Sequence, residues 1–165
     1  MYQGKKVKNK LYFMCGKMAA GKSTLSKKLA EENNAILLSE DEILKKLYPN
    51  EIKTIEDYIK YSRRLKDMMK NHIIELLNKG NSVVLDFPAN TIIQREWFQK
   101  IFEESHVDHI MHYVKRSDDM CKMQLKKRNE NLSKDEPLID ESTFDAITKY
   151  FQEPQENEGF NIIYC

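Results

Sequence analysis

Apolar residues along this chain follow two rhythms: short continuous runs, and longer stretches in which they recur every three or four positions. Runs at 11–15 (Leu-Tyr-Phe-Met-Cys), 35–38 (Ala-Ile-Leu-Leu), 82–87 (Ser-Val-Val-Leu-Asp-Phe), 110–114 (Ile-Met-His-Tyr-Val) and 161–164 (Asn-Ile-Ile-Tyr) carry β-branched or aromatic side chains and predict five strands. Helical spacing fills the intervals. Leu25, Leu29 and Ala30 predict a helix from Ser23 to Glu32. The longest helix is predicted over 55–79, with Ile55, Ile59, Leu65, Met69, Ile73, Leu76 and Leu77 near one stripe and Gly80 as its stop. Shorter helices are predicted at 91–105, 118–129 and 141–152, and Ser39 with Glu42 three residues later reads as a capping box that opens another. Strands alternating with helices predict an α/β domain of three layers, a five-stranded parallel sheet with helices on both faces and ligands gathered at the carboxyl ends of the strands.

Composition narrows this picture. A chain of 165 residues is expected to form a single domain, 1–165, large enough to bury a core. Lys+Arg 27 against Asp+Glu 26 leaves a formal charge of +1, so no global field favours a nucleic acid or an anionic membrane. The first ten residues hold Lys5, Lys6, Lys8 and Lys10, and residues 1–9 are expected to be a flexible basic tail. No apolar stretch approaches the length of a membrane span and no leader pattern precedes the first strand, so the expectation is a cytoplasmic protein without membrane contact, a monomer or homodimer. Cys15, Cys121 and Cys165 cannot all pair and lack metal or CxxC spacing, so they read as reduced thiols, with Cys15 a buried small hydrophobe. His106, His109 and His112 recur every third position in and around a strand, which alternates their faces and argues against a zinc site.

The candidate chemistry begins where the first strand ends. Gly16-Lys17-Met18-Ala19-Ala20-Gly21-Lys22-Ser23 is a complete GxxxxGKS between a strand and a helix, the context this motif requires. Glycines at 16 and 21 let consecutive N–H groups turn inward, and the following helix adds its unpaired N-terminal N–H groups, so residues 16–24, including Thr24, form an anion nest. In such a loop Lys22 reaches the β- and γ-phosphates of a nucleoside triphosphate, and the Ser23 hydroxyl ligates the Mg2+ that bridges them. Asp41, after the second strand, is not needed by the cap and is placed to accept a proton from a substrate hydroxyl. Val83-Val84-Leu85-Asp86 ends in a carboxylate of the kind that stands near the metal. Arg95 lies early in a helix, where the dipole mildly opposes a cation, and is a candidate for a ligand anion. Lys126, Lys127 and Arg128 precede the polar stretch 129–137, a candidate short lid, with Arg128 the choice for a cation that swings over the triphosphate. Arg63 and Arg64 read as surface residues, and Tyr58, Tyr61, Trp97 and Phe98 as pocket walls or core.

With these positions in hand, the chain resembles the small P-loop kinases of the zeta-toxin-like and AAA_33 type, relatives of polynucleotide kinase and chloramphenicol phosphotransferase. The resemblance covers 16–24, Ser39 and Asp41, Val83 to Asp86, Arg95, Lys126 to Arg128, Phe151-Gln-Glu-Pro154 and Glu158-Gly159. It implies a P-loop NTPase fold, Asp41 as base towards an acceptor hydroxyl, and Arg128 on the phosphates. Two departures stand out: Lys17-Met18-Ala19-Ala20 lacks the extra glycine or proline of many relatives, and the lid holds few arginines, which weighs against a nucleotide acceptor. The leading expectation is transfer of the γ-phosphoryl group of ATP to a hydroxyl of a small molecule. The alternatives are a polynucleotide 5′-hydroxyl kinase, a zeta-toxin-like sugar-nucleotide kinase, and a nucleotide-dependent switch that hydrolyses slowly. Against the switch, the chain has no NKxD and no LSGGQ-like motif.

Overall fold

The computed structural model describes residues 8–133, 136 and 138–165. Strands β1 (Lys10–Cys15), β2 (Ile36–Ser39), β3 (Val83–Asp86), β4 (Asp108–Tyr113) and β5 (Ile162–Tyr164) form one sheet in the order β2-β3-β1-β4-β5, and every pairing is parallel. Between them lie α1 (Lys22–Glu32), α2 (Glu40–Leu47), α3 (Ile55–Asn78), α4 (Ile92–Ser105), α5 (Asp118–Glu130) and α6 (Glu141–Thr148). Register places Ser39 beside Asp86 and Cys15 beside Tyr113, so β2, β3, β1 and β4 finish along one edge.

The strand period of two divides the core. Leu11, Phe13 and Cys15 of β1, with Val83 and Leu85 of β3, face Leu65, Met69, Ile73 and Leu77 of α3 and Phe98 and Ile101 of α4. Tyr12, Met14 and Val84 point the other way, onto Leu29 of α1. Burial on both faces is why β1 and β3 read as unbroken apolar runs. A third cluster, Ala20, Val114, Cys121, Leu125 and Phe144, packs α5 and α6 against the loop after β1. Among the described residues, no helix is long and apolar enough to cross a membrane.

Three expectations need correction. The predicted stripe of the long helix does not run its whole length: Ile55 and Ile59 are 53% and 59% exposed. A helix of 24 residues is about 36 Å long and a strand of four about 13 Å, so the first turns of α3 extend past the sheet, where Ile55 and Ile59 stay exposed while Tyr58 on another face packs against the core. Ser39 occupies the N-cap position of α2, but its side chain makes no cap bond, because Ser39 is still the last paired residue of β2. The capping box lies at Thr54 and Asp57 instead, at the start of α3. The helix expected to reach 152 stops at Thr148, where the chain turns so that the Gln152 N–H can bond the Asn90 carbonyl 2.8 Å away.

Candidate active site

Sterics fix the shape of the loop after β1. A Cβ on Gly16 would lie 2.8 Å from the Val114 carbonyl oxygen, so that position is closed to any side chain. Gly21 has φ 101 and Ala19 φ 59; the left-handed backbone suits the glycine and costs the alanine about 1 kcal/mol. The Gly16 N–H donates to Asn90 Oδ1 at 3.0 Å, and the Ala20 N–H to the Lys17 carbonyl at 3.2 Å. The N–H groups of Gly21, Lys22, Ser23 and Thr24 find no acceptor among the described residues. They stand at the positive end of α1, an arrangement that binds anions. Lys22 folds back across the loop, its Nζ 2.5 Å from the Gly16 carbonyl oxygen and 2.7 Å from that of Lys17. Burial lowers its pKa, while Cys15, Asp86, Cys121 and Asp41 pull it upwards.

Two carboxylates share this edge. Burial raises the Asp86 pKa; the Ser23 hydroxyl beside it lowers it, the charge of Asp41 raises it further, and Lys22 opposes both. Asp41 is exposed in the first turn of α2. Ser23 and Asp86 thus offer two hard oxygen donors at a position burdened with negative charge, a donor set that fits Mg2+. Cys15, beneath the loop, is buried and its thiol is pushed up to about 11, chiefly by burial.

The remaining candidates are placed as follows. Arg128 is exposed in the last turn of α5, and residues 134, 135 and 137 of the expected lid lie outside the described residues, as do Lys5 and Lys6 of the basic tail. The Lys17 ammonium pairs with Asp118 and sits 5.8 Å over the Phe151 ring, beside a cavity of about 250 Å³ that Val114, Arg116 and Glu153 also line. Met18 and Ala19 pack at the margin of the cluster that holds α5 and α6 to the loop.

Arg95 is placed otherwise than a ligand-contacting cation. Its side chain is 0% exposed, Nε and Nη2 grip Glu158 at 2.7 and 2.9 Å, and Nη1 donates to the carbonyls of Ala89 at 3.0 Å and Gln152 at 2.9 Å. The dipole penalty that made it conspicuous is met by this buried fork. Phe98 is core, stacked on Phe13 at 4.3 Å, and Tyr61 stacks on Tyr48 at 4.0 Å. His109 stacks on Phe102 at 3.7 Å and accepts from the Asn161 N–H, whereas His112 packs beside Cys165.

Two residues near the site were not singled out by sequence. Glu40 is 1% exposed and accepts hydrogen bonds from Tyr58 Oη at 2.6 Å and Ser62 Oγ at 2.5 Å. This ties the start of α2, and with it Asp41, to α3. Two hydroxyls four apart on one helix were the available signal. Asn90 braces Gly16 and is itself held by Gln94 Oε1 and the Gln152 N–H; nothing in Pro-Ala-Asn-Thr marks it.

A family model described as an AAA domain, AAA_33, matches residues 11–154, nearly the whole chain. The chain belongs to this AAA_33 family. No curated protein sequence matches it. Solved structures of similar fold include a putative kinase from Chloroflexus aurantiacus, with TM-score 0.73 at 18% identity, covering 95% of this chain and 87% of that one. Chaetomium thermophilum Kti12 in complex with ADP-AlF3 aligns with TM-score 0.66 at 15% identity, over 94% and 88% of the two chains. The Mycobacterium tuberculosis APS kinase in complex with AMPPNP and APS aligns with TM-score 0.58 at 15% identity, over 95% and 88%. At these identities the likeness is one of fold.

Proposed function

We propose that this chain is an ATP- and magnesium-dependent phosphotransferase that moves the γ-phosphoryl group to a hydroxyl of a small molecule. The observation that carries this is convergence: Lys22, Asp86 and Asp41 come from three different strand ends and are close enough for their charges to perturb one another, with the Ser23 hydroxyl on Asp86. Nucleotides held by two proteins of similar fold, ADP-AlF3 in one and AMPPNP in the other, support a triphosphate on this loop.

In this reading, residues 16–24 cradle the phosphates, with the free N–H groups of Gly21 to Thr24 on their oxygens and Lys22 released from its two carbonyl contacts to bridge them. Ser23 and Asp86 would hold Mg2+, which when bound neutralises charge on the β- and γ-phosphates. Asp41 accepts the proton of the acceptor hydroxyl as its oxygen attacks, and Arg128 closes over the transferred group. Arg95 keeps a structural post, fixing the segment that braces Gly16. Asp41 is exposed at the carboxyl edge of the sheet, open to an external acceptor.

Radiolabelled ATP offered with a panel of sugars, hydroxy acids and antibiotics tests this. The expected result is label transfer to at least one acceptor, reduced at least about 100-fold by Asp41→Asn with ATP affinity retained. Transfer undiminished in the variant removes Asp41 as base, and hydrolysis that no acceptor stimulates refutes phosphotransfer.

A further inference from the structure

Glu40 and Asp41 share the first turn of α2, and only one of them is open to solvent. Asp41 is exposed, whereas Glu40, 1% exposed, carries a carboxylate into the interior. Among the described residues no ion pair involves Glu40. Each of its oxygens is met by a hydroxyl of α3: Oε2 accepts from Tyr58 Oη at 2.6 Å and Oε1 from Ser62 Oγ at 2.5 Å. These are the lengths of charge-assisted O–H···O bonds. Burial, with the charge and the bond of Glu40 added to it, pushes the Tyr58 pKa up, so Tyr58 keeps its proton and stays a donor.

The bulk of α2 is anchored without Glu40. Leu44, 2% exposed, lies in the core, and Tyr48, the C-cap of the helix, stacks on Tyr61 of α3 at 4.0 Å. The start of the helix differs, because the Ser39 side chain makes no cap bond and leaves the first turn without its usual fastening. Glu40 fastens that turn sideways, onto α3. The residues that carry Asp41 are thereby held between β2, where Ser39 is in register with Asp86, and α3. The charge of Asp41 is felt by Tyr58 as well as by Asp86 and Lys22, so the latch lies within reach of the candidate reacting groups.

Stability alone does not call for a charge here. A buried carboxylate costs more to desolvate than an apolar side chain of similar size, and replacing a buried polar set by apolar groups is often neutral or stabilising. Apolar contact is also non-directional, whereas two hydroxyls on the two oxygens fix the carboxylate in both place and orientation.

We propose that Glu40 is a positioning residue for phosphotransfer: its two bonds to α3 set where the first turn of α2 presents the Asp41 carboxylate to the acceptor hydroxyl. The proposal rests on the phosphotransfer reading above and adds to it a residue that acts through Asp41. Tyr58 and Ser62 serve the same end as the donors of the latch.

The test separates position from stability. Glu40→Leu combined with Tyr58→Phe and Ser62→Ala removes the charge and both donors together, so nothing polar is stranded and the melting temperature should stay within about 5 °C of wild type. Activity should not follow stability. Labelled ATP and magnesium are supplied with whichever sugar, hydroxy acid or antibiotic of the panel wild type phosphorylates. The triple variant should then lose kcat about tenfold or more, with the KM for ATP within about twofold of wild type. Hydrogen exchange read by mass spectrometry should quicken at least about tenfold at 40–44 and stay unchanged in β1 and β3. Tyr58→Phe alone removes one bond and should lower kcat about threefold or more at the same KM for ATP; it supplies the measurement if the triple variant does not fold. A stable triple variant with wild-type kcat overturns the proposal, as does a KM for ATP that rises in step with the fall in kcat. Wild type that labels no acceptor removes the phosphotransfer reading and this role of Glu40 with it, while exchange reports separately whether the latch holds the first turn of α2.

Discussion

Replacing Arg95 with leucine removes a guanidinium that is fully enclosed and makes four hydrogen bonds, two of them to Glu158. The variant strands the Glu158 carboxylate, only 14% exposed, and leaves the Ala89 and Gln152 carbonyls without their donor. Breaking a buried pair from one side costs about 3–5 kcal/mol, because the abandoned charge stays desolvated. For a chain of 165 residues, at about 2–4 °C per kcal/mol, the melting temperature should fall by about 6–20 °C. Urea denaturation followed by circular dichroism reads the free energy, and thermal melting gives an independent value. Arg95→Leu combined with Glu158→Leu should recover a substantial part of the loss, since no charge is then left buried. A variant within about 1 kcal/mol of wild type would refute the structural role. If Arg95→Leu instead left stability intact and raised the KM of an acceptor, the guanidinium would be a ligand contact after all.

Two further outcomes follow from the same geometry. Gly16→Ala places a methyl group 2.8 Å from the Val114 oxygen and should destabilise the fold by about 1–3 kcal/mol and weaken ATP binding measured by fluorescence titration; unchanged affinity would contradict the close approach. Burial pushes the Glu158 carboxyl up, but the bonds from Arg95 and from the Gln155 N–H outweigh it and hold the pKa below the usual carboxylate range. Its contribution is therefore complete above the ordinary glutamate pKa of about 4.3 and is lost as pH falls through the lower folded value. Urea unfolding at stepped pH should show this acid limb, and Glu158→Gln should flatten it.

The middle of the sheet was legible because β1 and β3 are covered on both sides, so Val83-Val84-Leu85 and Leu11 to Cys15 had to be apolar without interruption. The phosphate loop was legible because its glycines answer to backbone sterics within eight residues. What could not be read depends on partners far apart in the chain. Arg95 and Glu158 are 63 positions apart and Gly16 and Asn90 are 74, and no local period records either bond. Ile55 and Ile59 misled for a related reason: helical spacing tells which face is apolar but not where the sheet beneath it ends. Glu40 and Asp41 adjoin in sequence and have opposite surroundings, a difference made wholly by Tyr58 and Ser62 arriving from α3.

Lys22 is bonded to its own loop before any phosphate arrives, through the Gly16 and Lys17 carbonyls. Occupying the loop is thus a substitution in which one set of oxygens replaces another around a single ammonium. The net gain from that cation is only the difference between phosphate and carbonyl as its neighbours. Selectivity follows from this. Under the proposed function, a polyphosphate with its dense charge is the anion that most improves on the two carbonyls Lys22 already holds.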